Sequence, residues 1–339
     1  MYRIKQIPED FIVEEMISLN LEKNGCYGYF IMEKQDISTV NACQAIARSV
    51  NLPLKYIGFA GSKDKTAVTR QLISIKYANE KKEKIENFRN ERIKLAFVGC
   101  GKKPISLGDL EGNKFEIAIR NMSNKEIKGL NPIKKAVNYF GEQRFSENNA
   151  EIGKLIIKKQ FKKACELIKN DPIDEYLKEN PTDYPNALRK LPPKILLIYI
   201  HAYQSYVFNK TAKMYIESIK IKDIDKIENI KIPLVGFDIE YGDENKESED
   251  RNKESGEKIK KIIEDIMQEE GIEERDFIIR ELPNISSGGG KRDLFVGIDN
   301  LKIGSPEEDE LNPGKKKIKL SFSLQKGSYA TEVIKALFR

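Results

Sequence analysis

Residues 59–71 read FAGSKDKTAVTRQ, and the rest of the chain is best understood outward from them. Gly61 and Ser62 allow a tight backbone turn just before the charged triplet Lys63–Asp64–Lys65. A carboxylate between two ammonium groups, with apolar residues on either side, is expected to stay ionised and available. A nucleophile or proton acceptor needs those two properties. The plain alternative is a surface turn with a solvated aspartate, and local composition alone favours that alternative.

Upstream, residues 27–33, YGYFIME, have the character of a strand. In STVNACQAIARSVN (38–51), Ser38 or Thr39 serves as a helix cap, and Val40, Cys43, Ile46, Ala47 and Val50 form one apolar stripe. Downstream, RQLISIK and IKLAFVGC are short β-rich runs, with a solvated helix expected between them over Asn79–Asn90. LGDLEGNKFEIAIRN reads as a turn leading into a strand that alternates Phe115, Ile117 and Ile119. A helix is expected from Pro132 to the segment NYFGEQRF. After about residue 147 the pattern becomes helical. One amphipathic helix is expected over Ala150–Lys169 and another over Pro193–Ile219. A polar loop is expected from Tyr241 to Glu257, then a helix stopped by Gly271. The chain closes with a strand of period-two alternation and a short helix. No internal repeat is present.

The chain has 339 residues, enough for two domains or for one carrying a large insertion. Lysine and arginine total 59 against 53 acidic residues, a net charge of +6. That excess permits a polyanionic partner without requiring one, and charge alone favours the plainer reading of a solvated Lys/Glu surface. No apolar run approaches the roughly 18 residues of a membrane span, and the first residues lack an apolar signal core. A cytoplasmic location is therefore expected. The cysteines (Cys26, Cys43, Cys100, Cys165) form no Cys-x-x-Cys pair, and there is a single histidine. Neither a metal site nor a disulfide framework is expected, and the thiols read as reduced and mostly buried. A Ser-His-Asp triad would have to use His201, whose apolar helical setting suggests packing. Chemistry must come from carboxylates, lysines, tyrosines or hydroxyls.

Other features have plainer readings. SSGGGKR (286–292) lacks the spacing of a phosphate loop and reads as a flexible basic loop. Lys315, Lys316 and Lys317 form a basic run that is normally solvated. Tyr199, Tyr203 and Tyr206 sit at helical spacing and read as core.

Five segments then converge on one resemblance. GSKDKTAVTRQ (61–71) resembles the active-site signature of the TruD family of tRNA pseudouridine synthases. KQIPEDFIVEE (5–15), NYFGEQRF (138–145), AYQSYVFN (202–209) and GSYATEVIKAL (327–337) resemble further motifs of that family, in the family's order. The resemblance implies an α+β chain: a pseudouridine synthase catalytic fold with a mixed, largely antiparallel sheet flanked by helices, plus an α/β insertion domain. Residues 1–147 and 306–339 would form the catalytic domain, and 148–305 the insertion. The implied reaction isomerises a tRNA uridine, expected at tRNA position 13, without metal, nucleotide or other cofactor, and the enzyme is expected to be a monomer. Asp64 corresponds to the essential aspartate and Lys5 to the active-site lysine that pairs with it. Phe140 and Asn138 correspond to the stacking phenylalanine and its neighbouring asparagine, and Phe11 to a residue expected to line the same pocket. Lys63, Lys65 and Arg144 join them as candidate substrate-binding residues, with Gln143 in support. Ser146 departs from the glycine common after the QRF motif, a change that touches no proposed catalytic atom.

Two rivals remain at this stage: a non-catalytic RNA-binding protein on the same fold, and a nucleoside or glycoside hydrolase. The second would need a partner carboxylate facing Asp64, for which Asp10, Glu14 and Glu15 are the candidates.

Overall fold

The computed structural model describes residues 1–219, 227–241 and 250–338. They pack as two compact units. The first comprises 1–134, 297–330 and 334–339, the second 135–296 with 331–333.

The first unit is built on a nine-stranded sheet. Its strands are β1 (Phe11–Met16), β2 (Tyr27–Gln35), β3 (Ile57–Phe59), β4 (Val68–Lys76), β5 (Ile93–Gly101) and β6 (Gly112–Met122), joined by β11 (Asp299–Ile303), β12 (Glu307–Glu308) and β13 (Lys316–Gln325). The spatial order is β11-β13-β6-β1-β4-β2-β5, with β3 paired to β4 and β12 to β13. Every pairing is antiparallel except β1 with β4, which run parallel with Val13 opposite Thr69. Parallel strands begin at the same edge of a sheet. The segments that lead into β1 and β4 therefore emerge side by side, and these segments carry Lys5 and Asp64.

One face of the sheet is apolar. Phe30 and Met32 of β2 and Ile73 and Ile75 of β4 pack with Ala42, Cys43, Ile46 and Ala47 of α1 (Thr39–Ser49). Further along the same face, the Phe115 ring lies 6.0 Å from Phe11 and 5.4 Å from Phe322. Ser38 caps α1 by accepting from the Asn41 N–H at 3.2 Å. Val40, expected on the apolar stripe, is exposed. Between β4 and β5, only α2 (Lys82–Glu86) is helical within the segment expected to be a longer helix. Tyr77, at φ 60°, and the turns that follow it take up the remainder. A five-residue helix, α3 (Asn124–Lys128), follows β6, with a reciprocal cap between Ser123 and Glu126. The basic run at 315–317 is answered by acids: Lys316 pairs with Glu308, and Lys317 with Glu310 and Glu307.

In the second unit, the helix expected from Pro132 is replaced by a strand, β7 (Lys135–Val137), paired with β10 (Phe295–Gly297). The backbone here bonds across the pair rather than to its own preceding turn, as when the Asn138 N–H donates to Leu294 O at 2.8 Å. The helix expected over Ala150–Lys169 is two, α4 (Asn149–Ile157) and α5 (Phe161–Ile168), broken where Lys159 takes φ 57°. After α6 (Asp171–Glu179) and α7 (Tyr184–Leu188), α8 (Pro193–Ser218) runs through the core and buries Leu196, Ile200, Tyr203, Val207 and Phe208. Tyr206, expected in that core, is 37% exposed. Gly153 lets α4 cross α8 closely, because a Cβ there would fall 2.1 Å from Tyr199 O. A ribbon of β8 (Lys231–Leu234) and β9 (Gly290–Asp293) and the helix α9 (Asp250–Glu270) complete the unit. The loop expected over 241–257 falls partly on residues 242–249, outside the described residues; from Asp250 the chain is helical, and Gly271 at φ 62° ends α9 as expected. The chain closes with α10 (Ala330–Leu337).

Among the described residues no helix is long and apolar enough to cross a membrane. All four cysteines are free. Cys43 and Cys165 are buried, but Cys26 is exposed, against the expectation of mostly buried thiols.

A buried ionic network secures the segment before β1. Arg120 donates to Asp10 Oδ1 (2.6 Å), Asp309 Oδ1 (2.9 Å) and Glu310 Oε1 (3.1 Å). Asp10 Oδ2 in turn accepts the N–H groups of Gln6 and Ile7 at 3.0 and 3.2 Å. Burial raises the Asp309 carboxyl, but hydrogen bonds from the Asn121 and Leu311 N–H groups, the Asn312 amide and Arg120 outweigh it, so its pKa lies below the usual value. Stability from a carboxylate lowered in this way is present above its unfolded pKa and lost as pH falls through the folded one. Arg120→Met, which leaves Asp10 and Asp309 buried without their counter-charge, should cost about 3–5 kcal/mol of unfolding free energy at neutral pH. Urea titration measures this, and a loss below about 1 kcal/mol would show that the network does not hold the fold.

Candidate active site

The loop between β3 and β4 presents Asp64, and its backbone is held from three directions. Gln71 of β4 donates its Nε2–H to Gly61 O at 3.0 Å and accepts from the Thr39 hydroxyl at 2.9 Å. The Thr39 oxygen accepts the Lys63 N–H at 2.9 Å. Lys34 of β2, 1% exposed, donates its ammonium to the Asp64 backbone oxygen at 2.8 Å. These bonds fix the arm of the turn that leads to Asp64 and the peptide oxygen of Asp64 itself.

The Asp64 side chain forms an ion pair with Lys5, whose Nζ lies 4.0 Å from the centroid of the Phe11 ring. Lys5 sits at φ 57°, in the left-handed region that a non-glycine residue seldom occupies. Strain of this kind persists only where the surroundings impose it, and Asp10 imposes it here by holding the next two N–H groups. The pair is partly exposed, with side-chain accessibilities of 18% and 32%. Solvent thus reaches the carboxylate, while its backbone is anchored in the core.

The flanking lysines differ from each other. Lys63 turns inward and pairs with Glu15, both side chains buried, and Glu15 also accepts the Leu72 N–H at 3.2 Å. Lys65 is exposed. Burial pushes the Lys34 ammonium down to about 8, with Asp64 opposing and Lys63 adding to the shift. Burial likewise pushes the adjacent Cys43 thiol up to about 12. Thr39, named from the sequence only as a possible helix cap, Gln71 and Lys34 were not assigned to the site there. Lys34 left one trace there: in YGYFIMEKQ it falls in phase with the core positions Phe30 and Met32, where a lysine is out of place.

The second unit carries the other candidates. Phe140 is gripped through its backbone by Asn209, which accepts the Phe140 N–H at 2.9 Å and donates to its carbonyl at 3.0 Å. Its ring meets Phe208 edge-on at 5.4 Å, and the guanidinium of Arg292 lies 4.1 Å from its centroid. Arg292 also donates to both oxygens of Asn138, at 3.0 Å to the backbone and 2.6 Å to the side chain. The Asn138 amide donates to Asp293 O at 3.1 Å. Arg144 donates to the Ser205 hydroxyl at 3.2 Å. The motif AYQSYVFN therefore has a physical role: Ser205, Phe208 and Asn209 shape the loop that carries Phe140 and Arg144. Gln143 and Ser146 are exposed. The glycine run 288–290 packs closely against Gly236, where a Cβ would fall 2.1 Å from Gly289 N. Burial lowers the His201 pKa, and Arg144 adds to the shift. Lys5, Phe11, Lys63, Asp64 and Lys65 thus belong to the first unit, and Asn138, Phe140 and Arg144 to the second.

Comparison with known proteins gives one answer. The family model described as tRNA pseudouridine synthase D (TruD) matches residues 2–176, 172–226 and 248–337. The chain is 31% identical to the tRNA pseudouridine synthase D of Aquifex aeolicus, over 99% of this chain and 98% of that one. It is 32% identical to the "Probable tRNA pseudouridine synthase D 2" of Methanocaldococcus jannaschii, over 99% and 91%. A crystal structure from Methanosarcina mazei assigned to tRNA pseudouridine synthase D (TruD) superposes with a TM-score of 0.72 at 26% identity, covering 99% of this chain and 93% of that one.

The hydrogen bonds around the turn give a direct test. Gln71→Leu leaves the Gly61 carbonyl without its donor and the buried Thr39 hydroxyl without its acceptor. It should lower stability by about 1–3 kcal/mol, and amide hydrogen exchange at residues 61–64 should speed up. Unchanged exchange there would show that Gln71 does not hold the turn.

Proposed function

Because this chain belongs to the tRNA pseudouridine synthase D (TruD) family, we propose that it converts a uridine of tRNA to pseudouridine with Asp64 as the group that acts at the ribose. The observation that carries the assignment of Asp64 is its ion pair with Lys5 on a turn whose backbone is held at Gly61, Lys63 and Asp64. In the reaction the N1–C1′ bond breaks, the uracil turns over, and C5 bonds to C1′. The C5 proton leaves and N1 gains one, so the product is an isomer and nothing is oxidised. Asp64 serves this either by attacking C1′ or by taking the C2′ proton to form a glycal. Both routes need a carboxylate held against the ribose. Lys5 supplies the counter-charge when RNA displaces water from the site.

On this reading the catalytic body spans 1–147 and 306–339 and the family's insertion 148–305, so the second unit holds the insertion together with the catalytic body's segment 135–147. Phe140 offers an aromatic face to an extruded uracil, at an unstacking cost of roughly a few kcal/mol that contacts with the surrounding RNA must offset. Asn138 and Arg144 take part from the same loop, and Lys65 lies beside Asp64 where a phosphate can reach it. Lys63 acts through Glu15 and the turn. The enzyme works in the cytoplasm as a monomer, without a cofactor. The hydrolase alternative finds little support in the carboxylates: Asp10 is bound by Arg120, Glu15 by Lys63, and Glu14 alternates to the exposed side of β1.

Unmodified tRNA transcripts incubated with the protein, digested to nucleosides and separated by chromatography should yield pseudouridine. A transcript with cytidine in place of uridine 13 should yield none. Pseudouridine from that second transcript would overturn the position, and none from any tRNA that the protein binds would favour the RNA-binding reading.

A further inference from the structure

We propose that Lys34 is a positioning residue for Asp64, holding its peptide oxygen and supplying a second positive charge behind the carboxylate. This rests on Asp64 being the reacting group. Lys34 lies inside β2, opposite Thr69 of β4 and Ile93 of β5, on the face whose neighbouring positions are Met32 and Phe30. Its side chain crosses the apolar layer to reach one backbone oxygen, that of Asp64, at 2.8 Å.

A methionine would span the same space with no charge to bury, whereas burying an ammonium is costly unless it is paired or hydrogen-bonded, as this one is to Asp64 O. The groups electrostatically coupled to Lys34 are Asp64 and Lys63 from the turn and Cys43 from α1. Lys63 is matched by Glu15, and Cys43 is a thiol raised to about 12, so neither supplies a negative charge at neutral pH. The partner that gains from the charge of Lys34 is therefore Asp64, whose carboxylate already pairs with Lys5. Lys34 anchors the peptide while Lys5 faces the carboxylate. A displacement of Asp64 by about 1 Å is enough to cost about 10²-fold in rate.

The ammonium has an operating limit. Its pKa is about 8 in the fold and returns to 10.5 when unfolded. The cost of the buried charge is thus present below pH 8 and relieved as pH rises through this window, where the unfolded chain holds the extra proton. Activity should change the other way, because deprotonation above pH 8 removes the charge behind Asp64.

The test compares wild type, Lys34→Met, Lys34→Arg and Asp64→Asn in single-turnover assays on C5-tritiated tRNA between pH 6.5 and 9.5, with Tm measured alongside. Wild type should lose rate above about pH 8. Lys34→Arg, whose guanidinium does not titrate in this range, should keep its rate there. Lys34→Met should fold, bind tRNA as wild type does, and react about 10²-fold more slowly without the alkaline fall. Its Tm difference from wild type should change over the same pH window. A wild-type rate in Lys34→Met, or the same alkaline fall in wild type and Lys34→Arg, overturns the proposal even if Lys34→Met proves too unstable to assay. Full activity in Asp64→Asn overturns the reading of Asp64 and this proposal with it, whereas an inactive Asp64→Asn beside an unaffected Lys34→Met overturns the proposal alone.

Discussion

The parallel pairing of β1 with β4 is the constraint on which the candidate site depends. In a sheet that is otherwise antiparallel, this pair alone sets two incoming segments at the same edge. Lys5 and Asp64, 59 positions apart in the chain, meet because each precedes one of those strands by a few residues. A one-residue slip of either strand would turn Phe11, Val13 and Glu15 out of the core and move the lysine along the sheet. Register is resisted by the apolar alternation of β1 and by the buried Lys63–Glu15 pair, whose members come from the two segments concerned.

Around that meeting point the protein spends stability on buried charge. Arg120 with Asp10 and Asp309, Lys63 with Glu15, and Lys34 against the Asp64 carbonyl are all placed where apolar side chains would pack at lower cost. Each supports a particular backbone position. Asp10 holds the N–H groups after Lys5, Glu15 ties β1 to the Leu72 N–H of β4, and Lys34 holds Asp64. Charge pairs and charge-assisted hydrogen bonds specify geometry in a way that apolar contacts do not. The function proposed for Asp64, holding a carboxylate against a ribose while RNA enters and leaves, has use for that specification.

Much of this fold could be read from the sequence where periodicity is strong. The alternation of β6 and β13, the stripe of α1 apart from Val40, and the length of α8 all appear in the structure. The failures have local causes. The helical pattern runs unbroken across Lys159, so nothing in the apolar spacing marks the left-handed residue that divides α4 from α5. Pro132 resembles the first residue of a helix, yet the segment after it finds its hydrogen bonds in β10. The candidate site was legible through its motifs, which pick out Asp64, Lys5, Asn138 and Phe140. The residues that hold them were not given that role: Thr39, Gln71, Asn209 and Arg292 act through paired hydrogen bonds or a ring contact, and such bonds leave no period in a sequence. Only Lys34 was marked, as a charge in a core phase.

The central claim is that the Asp64 carboxylate drives an isomerisation that must expel the hydrogen on uracil C5. The most direct measurement is tritium release from tRNA labelled at uridine C5, with wild type and Asp64→Ala compared at equal occupancy of the RNA. Wild type should release tritium and the variant none, while the variant still binds tRNA. Release at the wild-type rate by Asp64→Ala would contradict it, leaving the reaction in place but removing this carboxylate from its centre.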